Sequence, residues 1–206
     1  MRRVNVVGST GSGKTTYGAE LAGRLGVPLV ELDALSWEAN WVTAPPTVFR
    51  ARVAAAVAGE AWVVDGNYSA TRDLVWARAD TVVWLDFPFA LVMWQVIVRT
   101  LRRGRRGEVL WSGNRESLRM AISRESIILY ALTTYQRRRR EYRRLSREYP
   151  GMHFVRLRSP AQARRFLDAI EPPAPEPVTG PRSRPAQPPG DSPAGGATTS
   201  GAPGQQ

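Results

Sequence analysis

The chain has 206 residues, with 29 basic and 18 acidic side chains and a formal net charge of +11. Hydrophobic residues make up 43%, enough for a core, so the chain as a whole is not disordered. Cysteine is absent and His153 is the only histidine, which excludes a disulfide framework, a zinc–thiolate site, an iron–sulfur cluster, a cysteine nucleophile and any centre built on two histidines.

In chain order, residues 3–7 read as a strand, followed by a glycine-rich loop and a helix over 14–25. A strand over 28–32 leads to a helix over 46–58, whose Pro45 and Pro46 suit a first turn. Residues 61–65 form the third strand, 71–77 a short helix, 81–85 the fourth strand and 88–103 a helix. A Gly/Arg stretch and a long helical region over 115–147 follow, with a break near Ser123. In that region Ile128, Leu132, Tyr135, Tyr142 and Leu145 fall near one face. Residues 152–157 are the last strand and 160–170 the last helix. Short apolar strands alternating with helices predict an α/β fold, a parallel sheet covered on both faces in three layers.

The longest apolar stretch, 81–98, contains Asp86, Pro88 and Gln95. Only about ten apolar residues remain after Pro88, against the roughly 20 that span a bilayer, so no membrane association is expected. The start of the chain runs straight into a strand without an export signal, and with no cysteine this predicts a cytoplasmic protein. Residues 171–206 hold ten of the 16 prolines and almost nothing large and apolar. Such a segment cannot offset its ordering entropy and is expected to be a disordered tail. The folded domain is then 1–170, with a net charge of +12.

The first strand ends in Gly8-Ser9-Thr10-Gly11-Ser12-Gly13-Lys14-Thr15, a G-x-x-x-x-G-K-T loop between strand and helix. Its glycines let the backbone approach a phosphate, so that successive N–H groups form an anion nest. The helix that begins near Lys14 adds its positive end. Lys14 is the only lysine in a chain otherwise basic through arginine. Arginine replaces lysine on most surfaces at little cost, but a tight phosphate cradle needs the compact ammonium. Lys14 is expected to reach the β- and γ-phosphates of ATP, Thr15 to ligate Mg²⁺ and Thr16 to face the α-phosphate.

A phosphate-bound Mg²⁺ needs a further carboxylate at a neighbouring strand end. Asp65 and Asp86 both qualify, each at the C-terminal edge of a strand, where parallel sheets bind ligands. Neither is followed by Glu, which disfavours a dedicated hydrolase. A guanine-reading N-K-x-D motif needs a second lysine, and a protein kinase would need its own lysine and an H-R-D motif; neither is present. A small phosphotransferase remains. Asp33, after the second strand, is the candidate to engage an acceptor hydroxyl, the alternative being a helix cap or surface acid. Asp65-Gly66-Asn67-Tyr68 forms the next wall, and Trp37 and Trp41 read as packing residues. The arginine-rich stretch 99–124 is the candidate lid, with Arg119 and Arg124 expected to meet the transferring phosphoryl group. The run Arg137-Arg138-Arg139-Arg140, with Arg143, Arg144 and Arg147, reads as an outer helix face; a nucleic-acid patch is the less favoured reading. His153 reads as structural.

Residues 1–170 resemble the small P-loop kinases of the adenylate-kinase-like superfamily, and more closely the bacterial topology modulation or adenylate-kinase-related proteins. The loop Gly8 to Thr15, Glu31-Leu32-Asp33 with Trp37, Val64-Asp65-Gly66-Asn67-Tyr68, Trp84-Leu85-Asp86-Phe87-Pro88 and Gly113-Asn114-Arg115-Glu116-Ser117 carry the resemblance. It implies a five-stranded parallel sheet in the order 2-3-1-4-5, ATP as phosphoryl donor and an arginine lid. Adenylate kinases place an arginine soon after the acceptor-loop Asp and read D-G-x-P-R at the next wall. Here Asp33 is followed by Ala34-Leu35-Ser36-Trp37, and Asp65-Gly66 by Asn67-Tyr68-Ser69. Both differences remove cations that would hold an acceptor monophosphate, so a small uncharged or hydroxyl acceptor fits at least as well as a nucleotide. The alternative is an ATP-binding regulator associated with nucleic acid.

Overall fold

A computed structural model describes residues 1–106 and 127–171, with side chains for 1–102 and 128–171. The chain divides into two units, Met1–Pro173 and Ala174–Gln206. Most of the candidate lid, including Arg119 and Arg124, the break near Ser123 and nearly all of the tail lie outside the described residues.

Five strands, β1 (Arg3–Gly8), β2 (Leu29–Glu31), β3 (Trp62–Asp65), β4 (Thr81–Leu85) and β5 (His153–Leu157), form one sheet in the order β2-β3-β1-β4-β5. All pairings are parallel. The register sets Val6 beside Asp65 and Gly8 beside Leu85, so the glycine-rich loop and the ends of β3 and β4 share one edge. The central strands β1, β3 and β4 are buried along nearly their whole length, as a sheet covered on both faces requires.

Seven α-helices are described: α1 (Lys14–Leu25), α2 (Leu32–Ser36), α3 (Pro46–Ala56), α4 (Arg72–Trp76), α5 (Phe89–Arg106), α6 (Ile127–Glu148) and α7 (Pro160–Asp168). Alternation along the strands divides the core. Val4, Val6, Val63, Val83 and Leu85 face Tyr17 and Leu21 of α1 and Ala163 and Leu167 of α7. Val7, Val64, Val82 and Trp84 face Phe49 and Val53 of α3, Trp76 of α4, and Tyr142 and Leu145 of α6. Each fully buried side chain of this size contributes about 1.5–3 kcal/mol. Asn5 is the polar exception within β1, and it is satisfied: its Nδ2 donates to the Val64 carbonyl at 3.1 Å and its Oδ1 accepts from Trp76 Nε1 at 2.9 Å. Local signals place the outer helices. Ser159 caps α7 by accepting from the Gln162 N–H at 3.2 Å, with Pro160 in the first turn.

Three expectations are corrected. The second strand runs from Leu29 to Glu31, and Leu32, expected to be its last residue, opens α2 instead. Leu132 is 51% exposed, and the inner face of α6 is carried by Ala131, Thr134, Tyr135, Tyr142 and Leu145. His153 is exposed at the first position of β5 and plays no part in the core. No helix among the described residues is long and apolar enough to cross a membrane.

Candidate active site

The loop between β1 and α1 is held open by its glycines. Gly13 stands in the left-handed region at φ +81 as the residue before α1, with open space where a Cβ would project. Gly11, at φ +84, lies so close to α5 that a Cβ would come within 2.2 Å of Val96 Cγ2. Ser9, Thr10 and Ser12 complete the turn, with the Ser12 N–H donating to the Ser9 carbonyl at 3.1 Å. The loop's start is clamped from the segment after β3: Asn67 Oδ1 accepts from the Gly8 N–H at 3.1 Å and its Nδ2 donates to the Gly8 carbonyl. Tyr142 of α6 donates to the same Asn67 Oδ1 at 3.0 Å. Asn67, read from sequence as a wall of the acceptor pocket, therefore positions the phosphate loop. Thr15 and Thr16 are exposed at the start of α1.

Lys14 Nζ donates to the Ser9 carbonyl at 3.2 Å, folded back across the loop. Burial holds its ammonium below the ordinary pKa, against the opposing pull of Asp65 and Asp33; Arg99 and Arg138 add to the lowering. Asp65 Oδ2 accepts from Thr15 Oγ1 at 2.5 Å. Its Oδ1 is buried and has no hydrogen-bond partner among the described residues. Burial raises the Asp65 pKa, and Lys14 and the Thr15 hydroxyl act in the opposite direction. A buried carboxylate oxygen without a donor, next to a hydroxyl at a phosphate loop, is the hard-oxygen set that Mg²⁺ takes together with phosphate and water oxygens. The Thr15 and Asp65 oxygens thus fit the ion, and the open, glycine-lined turn fits a polyphosphate.

Asp33 lies in the first turn of α2, on the same side of the sheet edge as Asp65. Its Oδ1 accepts from Tyr68 Oη at 2.7 Å. Burial, with Asp33 adding to it, pushes the Tyr68 hydroxyl well above its ordinary pKa, so this tyrosine stays a donor. Tyr68 packs edge-on against Phe49 of α3 at 5.0 Å between ring centroids. Trp37 and Trp41 pair with each other at 5.5 Å, also edge-on.

The two metal candidates separate clearly. Asp86 is engaged by two guanidinium groups: Arg139 Nε at 2.7 Å, and Arg156 through Nε at 2.8 Å and Nη2. Its carboxylate is 2% exposed and both oxygens are taken, so it anchors arginines, whereas Asp65 keeps a free oxygen. The run 137–140 is likewise not a single outer face. Arg139 turns inward to Asp86, and Arg138 bonds Tyr130 and Glu141, close enough to Lys14 to lower its pKa. Four consecutive helical residues sweep about 300° around the axis, so a run of this length has to turn part of itself inward. That arithmetic was available in the sequence. Arg156 had no signal there beyond being a lone charge in an apolar strand.

No family model matches the chain, and no curated protein shows significant sequence similarity to it. Among solved structures, a shikimate kinase from Acinetobacter baumannii in complex with shikimate gives a TM-score of 0.52 at 19% identity, covering 82% of this chain and 90% of that one. A shikimate kinase from Bacteroides thetaiotaomicron gives 0.49 at 13% identity, covering 81% and 94%. Identity this low speaks to architecture, and the chain has that α/β P-loop architecture: five parallel strands in the order 2-3-1-4-5 with helices on both faces.

Proposed function

We propose that the chain is an ATP-dependent phosphotransferase that moves the γ-phosphoryl group of Mg-ATP to a small acceptor bound beside Asp33. The observation that carries this reading is the convergence at one sheet edge of Lys14, Thr15 and Asp65 with its unpartnered Oδ1. Lys14 draws the terminal phosphates into the N–H nest of the loop. Thr15 and Asp65 hold Mg²⁺, which neutralises phosphate charge when bound. Asp33, oriented by Tyr68, accepts a hydrogen bond from the acceptor hydroxyl and aims it at the phosphorus. Arg138 and Arg99, both near enough to Lys14 to lower its pKa, supply positive charge where the transferring oxygens gather it. Arg119 and Arg124 of the proposed lid, 99–124, add to that charge. A cytoplasmic enzyme, with 171–206 as an accessory tail, agrees with this reading.

The acceptor is read as a small hydroxyl compound. A structural neighbour holds shikimate, and the segments after Asp33 and Asp65 lack the two arginines that adenylate kinases carry there. The finer likeness to topology modulation proteins rests on the segments around Asp33, Asp65, Asp86 and Gly113. Incubation with Mg-ATP and a panel of nucleosides, nucleotides, sugars and hydroxy acids, read by phosphorus NMR, tests the assignment. One acceptor-dependent phosphate ester, absent with Lys14→Ala, is expected. ATP consumption that no acceptor accelerates would remove the kinase reading.

A further inference from the structure

α6 crosses one face of the sheet but leaves the outer strand, β5, partly uncovered. Between them lies a cleft of about 430 Å³, lined by Trp84, Phe154 and Arg156 from the sheet and Arg143, Ser146 and Arg147 from α6. It opens on the sheet face opposite α1, and Arg147 is eight residues, or about 12 Å of helix, beyond Arg139 at the Asp86 clamp. Three of its six lining residues are arginines and none is acidic. Arg156 is half committed: it closes on Asp86 and lies over the Trp84 ring at 4.7 Å. Arg143 and Arg147, one helical turn apart, pair with no carboxylate among the described residues. Their neighbour Arg144, pointing elsewhere, pairs with Glu148 at 3.2 Å.

We propose that this cleft is a second anion site, separate from the glycine-rich loop, that takes a small ligand bearing two or more phosphoryl groups. Two uncompensated guanidinium groups, with Arg156 shared between the cleft and Asp86, match the charge of a diphosphate, and planar forks bind phosphate oxygens bidentately. The volume holds about a dozen waters' worth of ligand, enough for a diphosphate and its substituent. The concave shape of the cleft favours a compact ligand over a strand of nucleic acid running along α6. Because Arg156 belongs to both the cleft and the Asp86 clamp, an occupant draws on the guanidinium that helps fix the residue following β4. The inference does not depend on the kinase reading.

Inorganic pyrophosphate titrated calorimetrically into the full-length Lys14→Ala protein tests it, with the loop disabled as a competitor; Lys14→Met serves if the alanine variant does not fold. Saturable one-to-one binding is expected. Adding Arg143→Ser with Arg147→Ser should weaken it at least tenfold with the circular dichroism spectrum unchanged, while Arg137→Ser with Arg140→Ser should leave it within twofold. Absence of saturable binding would overturn the proposal, as would equal loss from both double variants. An oligo(dT) strand that binds more tightly than pyrophosphate and depends on Arg137 and Arg140 would assign the face to nucleic acid instead.

Discussion

At the level of single residues, Asp65 closes β3 and Asp86 follows β4, the strands on either side of β1, yet the two have opposite surroundings. Asp65 meets a hydroxyl and keeps a bare oxygen; Asp86 meets two arginines. Exchanging each for asparagine should therefore have different consequences. Asp65→Asn should cut phosphoryl transfer at least a hundredfold and leave the fold intact, because it removes a buried carboxylate that burial already penalises. Asp86→Asn should cost about 2–3 kcal/mol in urea unfolding, a value reduced because each guanidinium is itself about 30% exposed. Asp33→Asn should leave nucleotide affinity within twofold and lower transfer at least a hundredfold, in a kinetic assay that varies ATP and acceptor separately. The sequence placed all three carboxylates at strand ends or just beyond. It could not rank Asp65 over Asp86, because the arginines that occupy Asp86 come from residues 53 and 70 positions later in the chain.

Among the elements, the contact that organises the site is the chain of hydrogen bonds from α6 through Asn67 to the loop. Tyr142 is buried, and burial raises its hydroxyl to a pKa of about 12. The folded state then binds the proton more tightly than the unfolded state does. The stabilisation is complete below pH 10 and is lost as pH rises from 10 through about 12. Across that window the contribution is about 3 kcal/mol, and Tyr142→Phe should flatten the alkaline unfolding curve by a comparable amount. The loop's packing on α5 gives a second prediction. Gly11→Ala combines a positive φ with a Cβ driven into Val96, and should cost about 1–3 kcal/mol while raising the KM for ATP. Periodicity and glycine placement made β1, α1, β4 and the loop between β1 and α1 legible, because each is a strong local signal. α2 was not, since Leu29, Val30 and Leu32 continue one apolar run and only tertiary packing of Leu32 against Gly66 and α3 ends the strand at Glu31. The inward turn of Arg138 and Arg139 depended on reading helical rotation through a run of identical charges.

For the whole molecule, residues 1–170 carry a net charge of +12, and two of their arginines, Arg139 and Arg156, gather on Asp86 at the sheet edge that holds the glycine-rich loop. Self-repulsion of that charge opposes the compact state and is screened by salt. The melting temperature should therefore rise as NaCl goes from about 10 to 150 mM, and fall or stay flat if the charge is already neutralised within the fold. The same excess of cations would favour polyphosphate at the loop, and under the proposed function the Thr15–Asp65 pair is what would make that binding depend on Mg²⁺. The most direct measurement is calorimetric titration of a nonhydrolysable ATP analogue into the wild-type protein and Asp65→Asn, each with Mg²⁺ and with EDTA. The account predicts wild-type binding at least tenfold tighter with Mg²⁺ and no such difference in Asp65→Asn. Wild-type affinity that ignores the metal, or a metal effect that survives loss of the carboxylate, would contradict it.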